Sequence, residues 1–128
     1  ILDRIDLHVH VNAIENNQLL EPQKQPLGES SEVVLTRVCN ARDIQISRQG
    51  VINAQLDNQQ LRELCPLSEQ HKQFLNRAIT NLKLSTRSFY RILKVARTIA
   101  DLRALEVPDI HQYQEALSYR SAFKNSIT

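Results

Sequence analysis

Two arginines stand at the start of one predicted helix, where a positive side chain is unfavourable unless an anion binds beside it. Ser85 is a good N-cap residue because its hydroxyl can accept a first-turn backbone N–H, and Arg87 and Arg91 follow in the first two turns. The N-terminus of a helix carries about half a positive charge, so a cation there costs up to about 1 kcal/mol. A bound phosphate would offset this cost, because helix-start N–H groups and guanidinium groups both bind phosphate oxygens. The alternative is an arginine that simply extends into solvent.

The helix that holds these arginines is predicted over about residues 84–105 and has one broad apolar face. Its apolar residues recur at steps of three and four, which is typical of an amphipathic helix. They are Phe89, Ile92, Leu93, Ala96, Ile99 and Ala100. The opposite stripe carries Arg87, Arg91, Lys94, Thr98 and Asp101. Arg97 lies beside that stripe, where it can pair with Asp101 four residues on.

Composition favours a single all-α domain. The chain has 128 residues, 41% of them hydrophobic, with two glycines and no tryptophan, which suits a small helical bundle of about four to five helices better than a β-sandwich. The net charge is +2, but it is unevenly distributed. Residues 62–103 hold nine Lys/Arg against three Asp/Glu, so that the basic centre coincides with the helix described above.

Four further helices are predicted from their capping residues. The first begins after Ser30 or Ser31 and ends near Gln49, before Gly50. Its predicted inner face consists of Val34, Leu35, Val38, Ala41 and Ile44. A short helix follows Asp57 or Asn58 and ends at Pro66, and the next follows Ser68. After Pro108, Asp109 and Gln112 resemble a capping box that starts the last helix. The inward residues of these last two helices are Phe74, Leu75, Ala78, Ile79 and Leu82, then Ile110, Tyr113, Ala116 and Leu117.

The N-terminal residues have a strand pattern rather than a helical one. Ile5, Leu7, Val9 and Val11 alternate with polar residues, which is typical of a half-buried strand. A single strand cannot satisfy its hydrogen bonds, and the sequence contains no methionine, so we expect a piece of a larger protein. We divide it into a truncated strand over residues 1–11, a linker over 12–30, a helical unit over 31–121 and a frayed tail over 122–128.

The sequence offers little chemistry of its own. A P-loop needs glycines before Gly-Lys-Ser/Thr, but Gly28 precedes Glu29 and Gly50 precedes Val51. His8 and His10 share a strand face without a third ligand nearby, so no metal site is predicted. Histidines at positions 71 and 111 are interpreted as surface residues. Cysteines at positions 39 and 65 are interpreted as buried free thiols in a reducing compartment. As a free-standing enzyme the chain is unconvincing.

Three segments carry a resemblance to a known family. The opening LDRIDLHV resembles the end of an AAA+ ATPase core of the magnesium chelatase and MCM helicase branch. LSTRSFYRILKVARTIADL resembles the lid helix of the magnesium-chelatase-like ComM/YifB family, and ARDIQISRQGVINAQL and EALSYR resemble the same family's C-terminal domain. The resemblance spans nearly the whole chain in one register, so we expect the helical lid of such an ATPase.

The resemblance also implies roles for individual residues. The family's arginine finger corresponds to Arg4 and its sensor-2 arginine to Arg87, and both would bind the γ-phosphate of ATP, either in the same subunit or in a neighbouring one. Alternatively, Arg4 pairs with Asp3 or Asp6 on an exposed strand. Arg91 is kept as a candidate nucleotide-binding residue that could support Arg87. The family assigns no firm role to Arg91, Lys94 or Arg97, which by default keep the outer face hydrated.

For the parent protein, the resemblance implies a ring-forming, cytoplasmic bacterial ATPase. It would use ATP and Mg²⁺, assemble as a homo-oligomer, specifically a hexamer, and act as a DNA motor in recombination or natural transformation. The present chain lacks the P-loop and is expected to be inactive alone and to bind no cofactor. The alternatives are a stand-alone DNA-binding module that uses residues 62–103, a subunit of a true magnesium chelatase, or a pure oligomerisation domain.

Overall fold

Five α-helices make up the described part of the chain. The structure, a computed structural model, describes Leu7 and residues 28–127, with side chains to residue 120. The helices are α1 (Ser31–Gln49), α2 (Asn58–Leu64), α3 (Glu69–Leu82), α4 (Thr86–Leu102) and α5 (Ile110–Ile127), and a short 3-10 turn, Asn53–Gln55, joins α1 to α2. No strand occurs among these residues, so the all-α prediction is confirmed. The predicted strand and almost all of the predicted linker lie outside the described residues.

Side-chain caps start the first four helices at the predicted places. The side-chain oxygens of Ser30, Asp57, Ser68 and Ser85 each accept the backbone N–H of the residue three positions on. These bonds satisfy donors that the first turn of a helix leaves unpaired. Gly50 ends α1 with a φ of 81°, and its N–H donates to the Ile46 carbonyl. A left-handed glycine at this position is a common helix stop.

Helix α4 is the centre of the bundle and contacts α1, α2, α5 and the 3-10 turn. The predicted apolar face of this helix is confirmed. Phe89 packs against the core, and the other five residues of the face are buried, namely Ile92, Leu93, Ala96, Ile99 and Ala100. The main core cluster comprises Leu56, Leu61, Cys65, Leu75, Tyr90, Ile92, Leu93, Ala96, Ile99, Tyr113 and Ala116. None of the helices in the described part is long and apolar enough to cross a membrane.

The predicted inner face of α1 is wrong. Of its five residues only Ala41 is buried, and residues 31–40 are all exposed. Helix α1 meets the bundle through its second half, where Gln45 is also buried. The apolar spacing therefore identified a real stripe, but periodicity alone does not show whether a partner covers that stripe. Cys39, on the same helix, is also exposed rather than buried as predicted.

The last helix is longer than its sequence pattern indicates. Helix α5 continues to Ile127, past residue 121, where the sequence analysis ends the helical unit. Gln112 accepts the Asp109 N–H at 2.8 Å, which is one half of the predicted capping box. The domain boundaries themselves stay predictions.

Candidate phosphate-binding cleft

A shallow cleft lies between the start of α4 and helix α2. Its volume is about 350 Å³. The lining residues are Asn58 and Leu61 from α2 and Thr86, Arg87, Tyr90, Arg91 and Lys94 from α4. The α4 residues recur at steps of three and four, so one face of that helix forms one wall. The cleft therefore contains the two arginines whose spacing first suggested anion chemistry.

The start of α4 supplies backbone donors to this cleft. Ser85 caps the helix by accepting the Ser88 N–H at 3.1 Å. Thr86 and Arg87 are the first two residues of the helix, and N–H groups at these positions have no partner within a helix. The dipole of α4 therefore favours negative charge at the same end of the cleft where the Arg87 side chain is exposed.

The charges that line the cleft have one sign. Of the lining residues, Arg87, Arg91 and Lys94 are cations, and none is acidic. Lys94 donates from Nζ to the Ala54 carbonyl at 3.3 Å, which places its charge beside the 3-10 turn. The Arg62 guanidinium lies 5.5 Å from the ring centre of Tyr90, a distance at which a cation and an aromatic face attract. Such a set of donors can bind an oxyanion such as phosphate.

The structure brings together only some of the residues singled out in the sequence. Arg87 and Arg91 share the cleft with Lys94. Arg4, the predicted arginine finger, lies outside the described residues, as do His8 and His10. Arg97 is not part of the cleft, because its side chain is only 1% exposed.

Arg97 and Asp101 form a buried ionic junction, which corrects their predicted place on a hydrated outer face. Asp101 Oδ1 accepts from Arg97 Nη2 at 2.9 Å and from Arg48 Nη1 at 2.7 Å. Its Oδ2 accepts from Asn53 Nδ2 at 2.9 Å. Burial alone would raise the pKa of Asp101, but hydrogen bonds from Arg48 and Asn53 and the charge of Arg97 hold that pKa below its ordinary value. The predicted i,i+4 pair is therefore real, but it lies inside the fold.

Arg97 also holds the segment that follows α4. Its guanidinium donates to the carbonyls of Leu64, Leu105 and Glu106 at 3.0 to 3.1 Å. These carbonyls belong to the end of α2 and to the connection between α4 and α5. A guanidinium with five donors in a fixed plane suits this task better than a lysine. Arg97 therefore acts as a structural residue that joins three parts of the chain.

His71 is buried rather than a surface histidine as predicted. Its Nδ1 accepts the Ser68 N–H at 3.3 Å, and its Nε2 lies 3.2 Å from Asp109 Oδ1. Because Nδ1 accepts, Nε2 carries the proton that bonds to Asp109. His71 occupies the third position of the Ser68 capping box, and this spacing is the local sequence signal for a histidine that is hydrogen-bonded rather than free in solvent. The Asp109 partner comes from 38 residues away, and no local pattern indicates it.

The buried Cys65 is not an activated nucleophile, and the described side chains form no metal centre. Burial raises the pKa of the Cys65 thiol to about 11 despite the nearby charges of Arg97 and Arg48. That thiol is therefore protonated at neutral pH, and the prediction of a buried free thiol is confirmed for Cys65. No group of three His, Cys, Asp or Glu side chains in this part of the chain could hold a metal ion.

A protein-family comparison decides which group of proteins shares this bundle. The family model described as magnesium chelatase, subunit ChlI C-terminal, matches residues 28–120, from just before α1 into α5. The chain belongs to this family. The predicted relationship is thus confirmed over the helical part of the chain.

Two named relatives carry the same C-terminal domain of the magnesium chelatase family. Competence protein ComM of Haemophilus influenzae is 38% identical over 120 residues, which cover 94% of this chain and 23% of ComM. Uncharacterized protein YifB of Escherichia coli is 39% identical over the same shares of the two chains. The chain therefore spans less than a quarter of the length of these relatives and corresponds to their C-terminal region.

Proposed function

We propose that this chain is the helical lid of a ring-forming AAA+ ATPase, in which Arg87 binds the γ-phosphate of ATP as the sensor-2 residue. The observation that carries the proposal is the cleft at the start of α4, lined by three cations and no acid. Family membership supplies the context, since the matched domain is a C-terminal domain of magnesium-chelatase-like proteins. Arg91, one turn after Arg87, supports the same phosphate in this proposal.

The chemistry follows from the placement of Arg87. Its exposed guanidinium lies where backbone N–H groups already favour an anion, and its planar fork can bind two phosphate oxygens at once. In a lid that closes over ATP, this contact strengthens as charge develops on the transferred phosphoryl group. The chain itself has no P-loop, so the remainder of the full-length protein holds the bulk of the nucleotide and its Mg²⁺.

The finer parts of the proposal rest on the resemblance of the N-terminal segment and on the named relatives. Arg4 is proposed as the arginine finger that reaches nucleotide at a subunit interface, within a homo-oligomeric, hexameric ring. The name of ComM refers to competence, and we extend this to a DNA motor in recombination or natural transformation. A bacterial cytoplasmic protein is proposed on the same grounds.

Arg87→Ala in the full-length protein tests the central claim. ATP hydrolysis should fall on the order of a hundredfold or more, since phosphate-binding arginines of this kind contribute at least that much. Arg87→Lys should rescue poorly, because lysine keeps the charge and loses the fork. Arg77→Ala, an exposed arginine on α3, is the matched control and should hydrolyse ATP normally. Normal hydrolysis by Arg87→Ala together with a defect in Arg91→Ala would show that the sensor-2 residue is Arg91 and not Arg87.

A stand-alone DNA-binding module is less well supported by the structure. Of the cations between residues 62 and 103, Arg97 is buried, and Arg103 and Lys72 pair with Glu115 and Glu69. These charges are therefore not all available on one face. A DNA module would hold duplex at low salt and lose it steeply as salt rises. The lid proposal expects neither appreciable DNA binding nor a saturable micromolar ATP site on the isolated chain.

A further inference from the structure

An apolar groove lies between the N-terminal half of α1 and helices α4 and α5. Its volume is about 730 Å³, twice that of the phosphate cleft. Val34 and Val38 of α1 line one wall, and Val95, Ile99 and Leu102 of α4 line another. Val34, Val38 and Leu102 are each 42% exposed. Contiguous apolar surface of this kind typically marks an interaction site.

Leu7 lies in this groove. It is separated in sequence from α1 by the linker, yet it lines the cavity together with the α1 and α4 residues. Leu7 is itself 50% exposed, so one leucine does not fill the space. The groove therefore already receives one apolar side chain from the N-terminal segment and has room for more.

The residues around Leu7 have the composition that this groove requires. Ile5, Leu7, Val9 and Val11 alternate with polar residues. In an extended segment such residues share one face and follow each other about every 7 Å. The groove lining also includes Glu115 with Arg37, Lys94 and Arg103, but Arg103 pairs with Glu115 and Arg37 with Glu29. The match between the segment and the groove therefore lies in their apolar side chains.

Chain connectivity permits the contact. Twenty residues separate Leu7 from Gly28, and an extended chain of that length reaches up to about 70 Å. A unit of about one hundred residues has a radius of gyration of only about 13 Å. The linker can therefore follow many routes from the groove to the start of α1.

We propose that the groove is the docking surface for residues 5–11 of this same chain, whose apolar side chains pack between α1 and α4. This contact covers Val34 and Val38, two apolar residues of α1 that the helical bundle leaves exposed. It also keeps Arg4, three residues before Leu7, close to the helical unit. The relevance of that last point to ATP hydrolysis depends on the proposed function, but the docking itself does not.

Disulfide trapping tests the docking in the 128-residue chain. Exposed Cys39 is first replaced by Ser, and Leu7→Cys is then combined with Val38→Cys in the groove. Leu7→Cys with Leu35→Cys is the matched control, because Leu35 is on the same helix, 61% exposed and absent from the groove lining. Under mild oxidation at low protein concentration, the groove pair should form an intramolecular disulfide about tenfold faster or more.

Two outcomes would overturn the proposal. Equal rates for the two pairs would show that residues 5–11 do not prefer the groove. Disulfide-linked dimers in place of monomers would show that a second copy occupies it. Neither outcome depends on ATP hydrolysis, so a failure here is distinguishable from a failure of the lid proposal.

Hydrogen exchange with Leu7→Asp gives a second measurement that needs no added cysteine. Without docking, the amides of residues 34–38 should exchange about three- to tenfold faster, the effect expected from the loss of one half-buried leucine. Ile14→Asp, a matched change outside residues 5–11, should leave exchange unchanged. Equal exchange in wild type and Leu7→Asp, or equal acceleration in both variants, would refute the docking. Far-UV circular dichroism confirms that the helices remain intact.

Discussion

The two ends of α4 use arginine in opposite ways. At its C-terminal end, Arg97 is buried and bonded to Asp101 and to three backbone carbonyls. At its N-terminal end, Arg87 is exposed in a cleft whose lining residues include no acid. The two arginines are ten residues apart in one helix, and the sequence analysis assigned both to the outward side of that helix.

The difference between the ends lies in the source of compensating charge. Each buried charge at the C-terminal end is satisfied from within the fold, by Arg48, Asn53 and Asp101. At the N-terminal end the helix dipole and the exposed Arg87 have the same sign, and no acidic residue of the described part of the chain lines the cleft. An exposed cation at the positive end of a helix, such as Arg87, is a functional candidate, whereas a buried network whose charges balance is structural.

The largest expected effect comes from breaking the buried junction. Asp101→Ala leaves Arg97 and Arg48 without their carboxylate, and loss of one member of a buried ion pair costs about 3–5 kcal/mol. Urea denaturation of the chain should show this decrease in the free energy of unfolding. Asp43→Ala, which removes an exposed aspartate from α1, should change it by no more than about 0.5 kcal/mol. A cost below about 1 kcal/mol for Asp101→Ala would mean that the junction is not a structural centre.

A smaller effect is expected from acid. Because the folded pKa of Asp101 is lowered, its carboxylate binds fewer protons in the folded state than in the unfolded state. This contribution to stability is complete above the unfolded pKa of about 3.9 and is lost as the pH falls through the folded value. Asp109 acts in the same direction, since the Ile110 N–H and the His71 hydrogen bond lower its pKa.

Asp101→Asn separates the contribution of Asp101 to acid sensitivity from that of Asp109. Asparagine keeps the shape of the side chain without the titration, so the loss of stability below about pH 4 should be shallower than in wild type. Asp109 retains its share of the acid dependence in this variant. Denaturation curves collected across the acid range provide the measurement. An unchanged slope would mean that other carboxyl groups account for the acid sensitivity.

Features encoded by neighbouring residues could be predicted from the sequence. Ser85 and the apolar spacing behind it place the start and inner face of α4, because capping and helical periodicity act over one or two turns. The i,i+4 pairing of Arg97 with Asp101 follows from the same local geometry. The cleft could be anticipated only in part, since Arg87 and Arg91 share a stripe of α4 but Asn58 and Leu61 reach it through folding.

Features that depend on distant partners could not be predicted. Burial of Asp101 requires Arg48 and Asn53, which are 53 and 48 residues away, and burial of His71 involves Asp109. The prediction for α1 was wrong for the opposite reason. Its apolar spacing predicts burial, but no helix of the described bundle packs over these residues. Nothing in the local sequence distinguishes a stripe covered by the bundle from one left for another segment.

The smallest expected effect on stability is also the sharpest test of the comparison between the two ends of α4. Arg87→Ala and Arg97→Ala are the same substitution in the same helix. Arg97→Ala should destabilise the chain by several kcal/mol, about as much as Asp101→Ala, because it leaves Asp101 and three carbonyls short of donors.

Arg87→Ala should change the free energy of unfolding by no more than about 0.5 kcal/mol. The sign should be stabilising at low salt, since a cation beside the N-terminus of a helix opposes its dipole. A cost above about 1 kcal/mol for Arg87→Ala would reveal a structural partner for Arg87 and remove the argument that its charge is left for a phosphate.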